Sequence, residues 1–156
     1  MSRFLALVLV LCLALGALRL QAASDVPPTP NLFLTIQPFG PVHPGQEFTA
    51  IYRFGNLGSV NGGLALLTFY TPIGLELAGQ PQGANAVCSI LRAHYQPVVA
   101  CTVDSIPTGW QHYIMLRYRV RARIPTTLLL RGDVNSPYDD PDMGNNHLSY
   151  ALEVAE

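Results

Sequence analysis

The chain has 156 residues, with 13 glycines, 13 prolines, 49% apolar residues and a formal charge of −1. Seven arginines and ten acidic residues follow residue 23, a balance of 7 − 10 = −3, which argues against nucleic acid as a partner because phosphate binding needs net positive charge. Lysine is absent, which excludes Schiff-base chemistry and Lys–Asn isopeptide cross-links.

Residues 1–23 read as a signal peptide: Arg3, an apolar run from Phe4 to Leu18, and a small-residue end at Ala22-Ala23. The apolar run of about 15 residues is short for a membrane span of ~20, so retention as an anchor is the lesser reading. No membrane span is expected after signal removal, and the expected location is secreted, periplasmic or cell surface. Residues 24–30, SDVPPTP, form a Pro-rich leader that favours extended backbone. Residues 31–156 then have the size of one domain.

Alternation marks the segments that follow. Leu32, Leu34 and Ile36 share one face, as do Phe48, Ala50, Tyr52 and Phe54. Leu64 to Thr71 is apolar at almost every position, and Leu75 to Leu77 adds a short piece after Pro72-Ile73-Gly74. Val98 to Val103 and Gln111 to Arg123 come next, joined by a tight turn at Ile106-Pro107-Thr108-Gly109, where Pro fixes φ and Gly is free to take φ > 0. In the second of these, Ile114, Leu116, Tyr118 and Val120 face one way and Met115, Arg117, Arg119 and Arg121 the other, which describes a half-buried antiparallel strand. Thr127 to Val134 and then Leu148, Tyr150, Leu152 and Val154 close the series. Turn clusters separate the segments and no helical period appears after residue 24. Seven to eight short antiparallel strands predict an all-β fold, an immunoglobulin-like β-sandwich, with a small closed barrel as the alternative.

The turn sequences carry a further likeness. Pro44-Gly45-Gln46, the alternating Phe48 to Phe54, and Asn56-Leu57-Gly58 resemble the opening of a bacterial immunoglobulin-like repeat. Thr71-Pro72-Ile73-Gly74-Leu75-Glu76-Leu77, the pair Cys88 and Cys101-Thr102-Val103, and Asp133-Val134 followed by Gly144-Asn145-Asn146 are similar to its later landmarks. Together they resemble the conserved repeat domain of unknown function of bacterial and archaeal cell-surface proteins, related to bacterial cell-adhesion domains, over about residues 31–154. The resemblance implies a sandwich fold and no defined activity. This chain carries one copy where such proteins usually carry tandem repeats, and its segment Ser89 to Ala100 is longer.

Four groups of residues invite chemistry. Cys88 and Cys101 remain after signal removal, and two cysteines flanking a turn in an exported chain are expected to form a structural disulfide. Asp133, Asp139, Asp140, Asp142, Asn145 and Asn146 lie within 14 residues, an oxygen-rich stretch able to take calcium or to serve as a polar turn built on Asx hydrogen bonds. Arg117, Arg119, Arg121 and Arg123 form a row of about 20 Å, a candidate partner face or a solvated one. Tyr95, Trp110 and Tyr113 are candidate ligand aromatics or caps on the core. Arg131-Gly132-Asp133 falls at a predicted strand end. The four histidines have no metal-ligand spacing, and no nucleophile motif, phosphate loop or dinucleotide fingerprint occurs, so no cofactor is expected apart from a possible calcium ion. These features predict an exported non-catalytic module for envelope structure, adhesion or protein assembly, with a cell-envelope protein as partner. The alternative is a carbohydrate-binding module for a surface glycan, aided by calcium.

Overall fold

A computed structural model describes residues 28–83, 85–93 and 96–156. The signal segment, the start of the leader and Tyr95 lie outside the described residues. The strands are β1 Leu32–Ile36, β2 Glu47–Asn56, β3 Ala65–Tyr70, β4 Leu75–Leu77, β5 Gln82–Gly83, β6 Val87–Ala93, β7 Gln96–Val103, β8 Gln111–Val120, β9 Thr126–Asn135 and β10 His147–Val154, with a single 3-10 turn at Met143–Asn146 before the last. Sheet A has the order β1-β2-β8-β4, with β5 also on β8, and sheet B the order β10-β9-β3-β7-β6. Every ladder is antiparallel, and a parallel bridge joins Val42 to Val154.

The alternation in the sequence places the core. Ala50, Tyr52 and Phe54 of β2, with Ile114, Leu116, Tyr118 and Val120 of β8, are buried from the sheet A side. Leu67 and Phe69, Val99 and Cys101, Leu130 and Val134, and Leu152 meet them from sheet B. Tyr52 packs on Phe69 across the two layers, ring centres 4.5 Å apart, and its hydroxyl lies 3.4 Å from that of Tyr118. The molecule is an all-β sandwich of two antiparallel sheets, as the pattern predicts, and not a closed barrel.

The described residues form ten strands where seven to eight are expected. β5 is only two residues, too short to show a period, and β6 is an edge strand whose two faces are both partly exposed, so neither face carries a clean apolar signal. A second difference concerns the turn at 106–109. It closes as expected, with Trp110 N–H donating to the Pro107 carbonyl at 3.1 Å, but β7 and β8 are not a hairpin. They belong to opposite sheets, and the link between them carries the fully buried Ile106 across the sandwich.

The Asn56-Leu57-Gly58 turn holds this crossing in place. Fully buried Asn56 accepts from the N–H groups of Asn31 at 3.0 Å and Gly58 at 2.8 Å. Its amide donates to the carbonyls of Val60 at 2.7 Å and Ile106 at 3.0 Å. Gly58 is required by close approach, because a Cβ there would lie 2.4 Å from both the Asn31 nitrogen and the Thr29 oxygen.

Cys88 and Cys101 are joined by a disulfide, as expected, between directly opposed residues of the β6–β7 hairpin with Cα atoms 4.0 Å apart. The bridge locks the edge of sheet B. Replacing both cysteines by alanine is expected to lower stability by about 3 kcal/mol, the chain-entropy value for a loop near this length. Urea unfolding of the oxidised and reduced wild type provides the check. A midpoint unmoved by reduction would show that β6 is held without the bond.

Candidate interaction surface

The acidic stretch folds into a clamp on the first strand. Asp140 Oδ2 accepts from the Leu32 N–H at 2.7 Å and from the Asn146 amide at 3.0 Å, and its Oδ1 accepts from the Asp142 N–H at 3.0 Å. Asn145 Nδ2 donates to Asn31 Oδ1 at 2.8 Å and Asp142 Oδ2 at 3.2 Å. The Oδ1 atoms of Asn145 and Asn146 are buried without a hydrogen-bond partner. Asp133 stands apart on β9, 2.7 Å from His147 Nδ1. Among the described residues no three acidic, histidine or cysteine side chains converge where they could hold a metal ion. Three uncharged donors bond the Asp140 carboxylate, and the Asp142 contact is of the Asx kind found in polar turns.

The arginine row is three residues long. Arg117, Arg119 and Arg121 project from the solvent side of β8 and its end, but the chain leaves the strand when Arg121 and Ala122 both donate N–H groups to the Gly74 carbonyl, at 2.7 and 3.0 Å. Arg123 therefore stands outside the row, an exposed residue past the strand. Glu47 on β2 pairs with Arg119 and sits 4.0 Å from Arg117, while Glu76 on β4 pairs with Arg121. The hydrogen bond from Arg119 draws the Glu47 carboxyl below its ordinary pKa. Arg117 also donates to the Ala78 carbonyl at 2.8 Å. The arginine row of sheet A is thus paired by its own glutamates, while Arg53 on β2 reaches only Gln37, at 3.4 Å.

Trp110 and Tyr113 do not share one patch. Trp110 contacts His112 edge to face, ring centres 3.6 Å apart, at the end of the sandwich. There it lines a cleft with Val87, Asp104 and Pro107. Tyr113 lies instead on the outer face of sheet A, opposite Arg53 in the β2–β8 ladder. The Arg131-Gly132-Asp133 tripeptide is internal to β9, with Gly132 packed against Leu34 and Phe69, and is not a loop tip.

The surface that sequence reasoning missed is the outer face of sheet B. Leu66 and Tyr70 of β3, Leu129 of β9, and Val87 and Leu91 of β6 are exposed on it or at its edge, with Ile73 just beyond β3. Register aligns Leu91, Val98, Tyr70 and Arg131 in one row across β6, β7, β3 and β9. The signal was the run Leu64 to Thr71, apolar at both parities: a strand with one wet face would alternate, and this one does not. A cleft of about 620 Å³ opens on this face between Tyr70, Ile73, Leu129, Arg131, Asp133 and His147. Its lining mixes apolar and polar groups and carries Arg131, which makes no ion pair among the described residues, beside the Asp133–His147 pair. Partial burial, then the Asp133 carboxylate, raise the Tyr70 phenol pKa.

No protein-family model matches the chain, and no curated protein matches it. Solved structures do. A non-cellulosomal cohesin from the hyperthermophilic archaeon Archaeoglobus fulgidus is similar at 15% identity over 81% of this chain and 92% of that one, with a TM-score of 0.53. A cohesin module from a Clostridium perfringens family 33 glycoside hydrolase is similar at 12% identity over 83% of this chain and 98% of that one, with a TM-score of 0.61. At such identities the likeness is one of fold. The resemblance to the conserved repeat domain likewise extends to a β-sandwich and not to a shown family.

Proposed function

We propose that this chain is an exported, non-catalytic β-sandwich module that assembles with another protein of the cell envelope through the outer face of sheet B. The observation that carries this reading is the contrast between the two outer faces. Sheet A pairs Arg119 and Arg121 with its own glutamates, whereas sheet B exposes Tyr70, Leu91 and Leu129, with Leu66 farther along the same face. Contiguous exposed apolar surface with a polar rim is how protein partners are bound, because its burial is favourable and the rim sets orientation. The disulfide supports an oxidising compartment, in keeping with the signal segment. The cohesin modules of similar fold support a small sandwich acting as a module. The carbohydrate alternative draws less support, since Trp110 and Tyr113 occupy different surfaces.

Photo-crosslinking in the exporting cell tests it. A benzoylphenylalanine at position 66 or 129 is expected to give a discrete protein adduct that one at position 117 does not. Adducts from position 117 alone, or a reproducible hydrolytic activity of the purified chain, would overturn the reading.

A further inference from the structure

Four sheet edges bound the described sandwich, and three are short or partly covered. β4 and β5, of three and two residues, are too short to template a strand. β1 gives its Leu32 N–H to Asp140 and lies under the 3-10 turn. β10 is bridged by Val42, whose N–H donates to the Glu153 carbonyl at 2.9 Å and whose carbonyl accepts from Ala155 at 2.8 Å. β6 is different: seven residues long, with a single charge at Arg92, and with Val87, Ile90 and Leu91 exposed by 76%, 37% and 51%.

The ladder shows which backbone groups that edge presents. The Cα separation of 4.0 Å at Cys88–Cys101 belongs to a non-hydrogen-bonded pair, for which about 4.5 Å is usual against about 5.5 Å in a bonded one. Pairs alternate, so Ile90–Val99 and Arg92–Pro97 are non-bonded too. Pro97 agrees independently: it has no N–H to give, and its carbonyl accepts from Thr71 N–H on the β3 side at 3.1 Å. The N–H and C=O groups of Cys88, Ile90 and Arg92 therefore point away from β7, into the open edge.

We propose that β6 is a self-association strand, pairing antiparallel with β6 of a second copy about a twofold axis at Ile90. In that register Ile90 faces its own counterpart, and each Cys88 faces an Arg92. Every facing pair directs its free N–H and C=O groups at the other, so each exchanges two backbone hydrogen bonds. The register also keeps the like charges apart, since the two Arg92 residues stand four residues apart along the ladder. That is about 13 Å, beyond the ~8–10 Å over which salt leaves charges interacting. An isologous contact of this kind closes on itself and makes a dimer rather than a fibre. It covers Ile90 and extends the apolar outer face of sheet B across both copies.

The test uses the chain exported with its own residues 1–23, purified oxidised, and studied by sedimentation and amide exchange over a concentration series. The expected result is a mass twice that of one chain, with exchange at Ile90 and Arg92 slowed at least tenfold in the dimer. Ile90→Pro is the informative variant. It removes an N–H that no described strand of the same copy uses, so the folded monomer tolerates it while the pairing is lost. Ile90→Lys sets two like charges face to face at the axis and guards against a proline variant that fails to fold. Both are expected to be monomers whose Cys88–Cys101 bond and unfolding transition persist. A wild-type chain that stays monomeric, or a dimer that survives both substitutions, overturns the proposal. Monomeric wild type whose Ile90 amide is still protected would mean that the edge is taken by another segment, which also overturns it.

Discussion

Asn56→Ala is expected to cost about 3–5 kcal/mol, a large part of the total stability of a domain this size. The side chain is fully buried and uses its whole hydrogen-bonding capacity on backbone: two N–H groups, of Asn31 and Gly58, and two carbonyls, of Val60 and Ile106. Alanine leaves all four without that partner in a site with little access to water, and an unmade buried hydrogen bond is penalised more than a made one gains. Three chain segments lose their common anchor at once: the lead-in to β1, the loop after β2 and the crossing to β8. Asn56→Asp keeps the acceptor but loses the donor, placing a carboxylate oxygen beside two carbonyls, so it is expected to be damaging too. Asn61→Ala, an exposed asparagine bonded to Ser105 and Gly63, is the control, with an expected loss under about 1 kcal/mol. Urea midpoints of the three variants decide the matter. Similar losses for Asn56→Ala and Asn61→Ala would mean that the buried network contributes little.

The second large effect is alkaline. Burial pushes the Tyr118 hydroxyl up to about 12 and raises Tyr52 well above its ordinary value, because the phenolate of either would lose its hydration between the sheets. Both folded pKa values exceed the unfolded value of about 10. The stability they contribute is thus fully present below pH ~10 and is lost as pH rises through the folded values, since only the unfolded chain then releases protons. The decline is about 1.4 kcal/mol per pH unit for each tyrosine, so Tyr118 alone removes roughly 2–3 kcal/mol between pH 10 and 12. Tyrosinate absorbance is expected to rise in two stages, exposed tyrosines first and the buried pair only on unfolding. Tyr118→Phe should flatten the pH dependence in this window. Smooth titration of all tyrosines in a folded chain would show that water reaches the pair.

Much of this fold could be read from the chain, and the reason is parity. Where one strand face is dry and the other wet, as in β2 and β8, the alternation gives strand, face and even the outward arginines. The reading fails where parity is uninformative. β6 is half exposed on both sides, β5 too short, and β3 apolar on both faces, so one strand is missed, one is unreadable and the exposed face of the third goes unnoticed. Turn chemistry is also blind to direction: Pro107 and Gly109 announce a reversal, but not whether the chain returns beside β7 or passes to the other sheet. The acidic stretch shows a similar limit. Its composition suits an ion or a polar turn, and it gives no sign of the Leu32 N–H, 108 residues away in sequence, that bonds to Asp140.

That distance has a bearing on how the chain is made. β1 can pair with β2 once both are made, but its Leu32 N–H has no partner until Asp140 has been synthesised. At roughly 5–20 residues per second, the interval is about 5–20 s. Throughout it the nascent segment has no closed sandwich, and the final clamp forms only after residues 140–146 have been made. The same residues that finish the fold thereby leave the emerging chain open until β9 is complete.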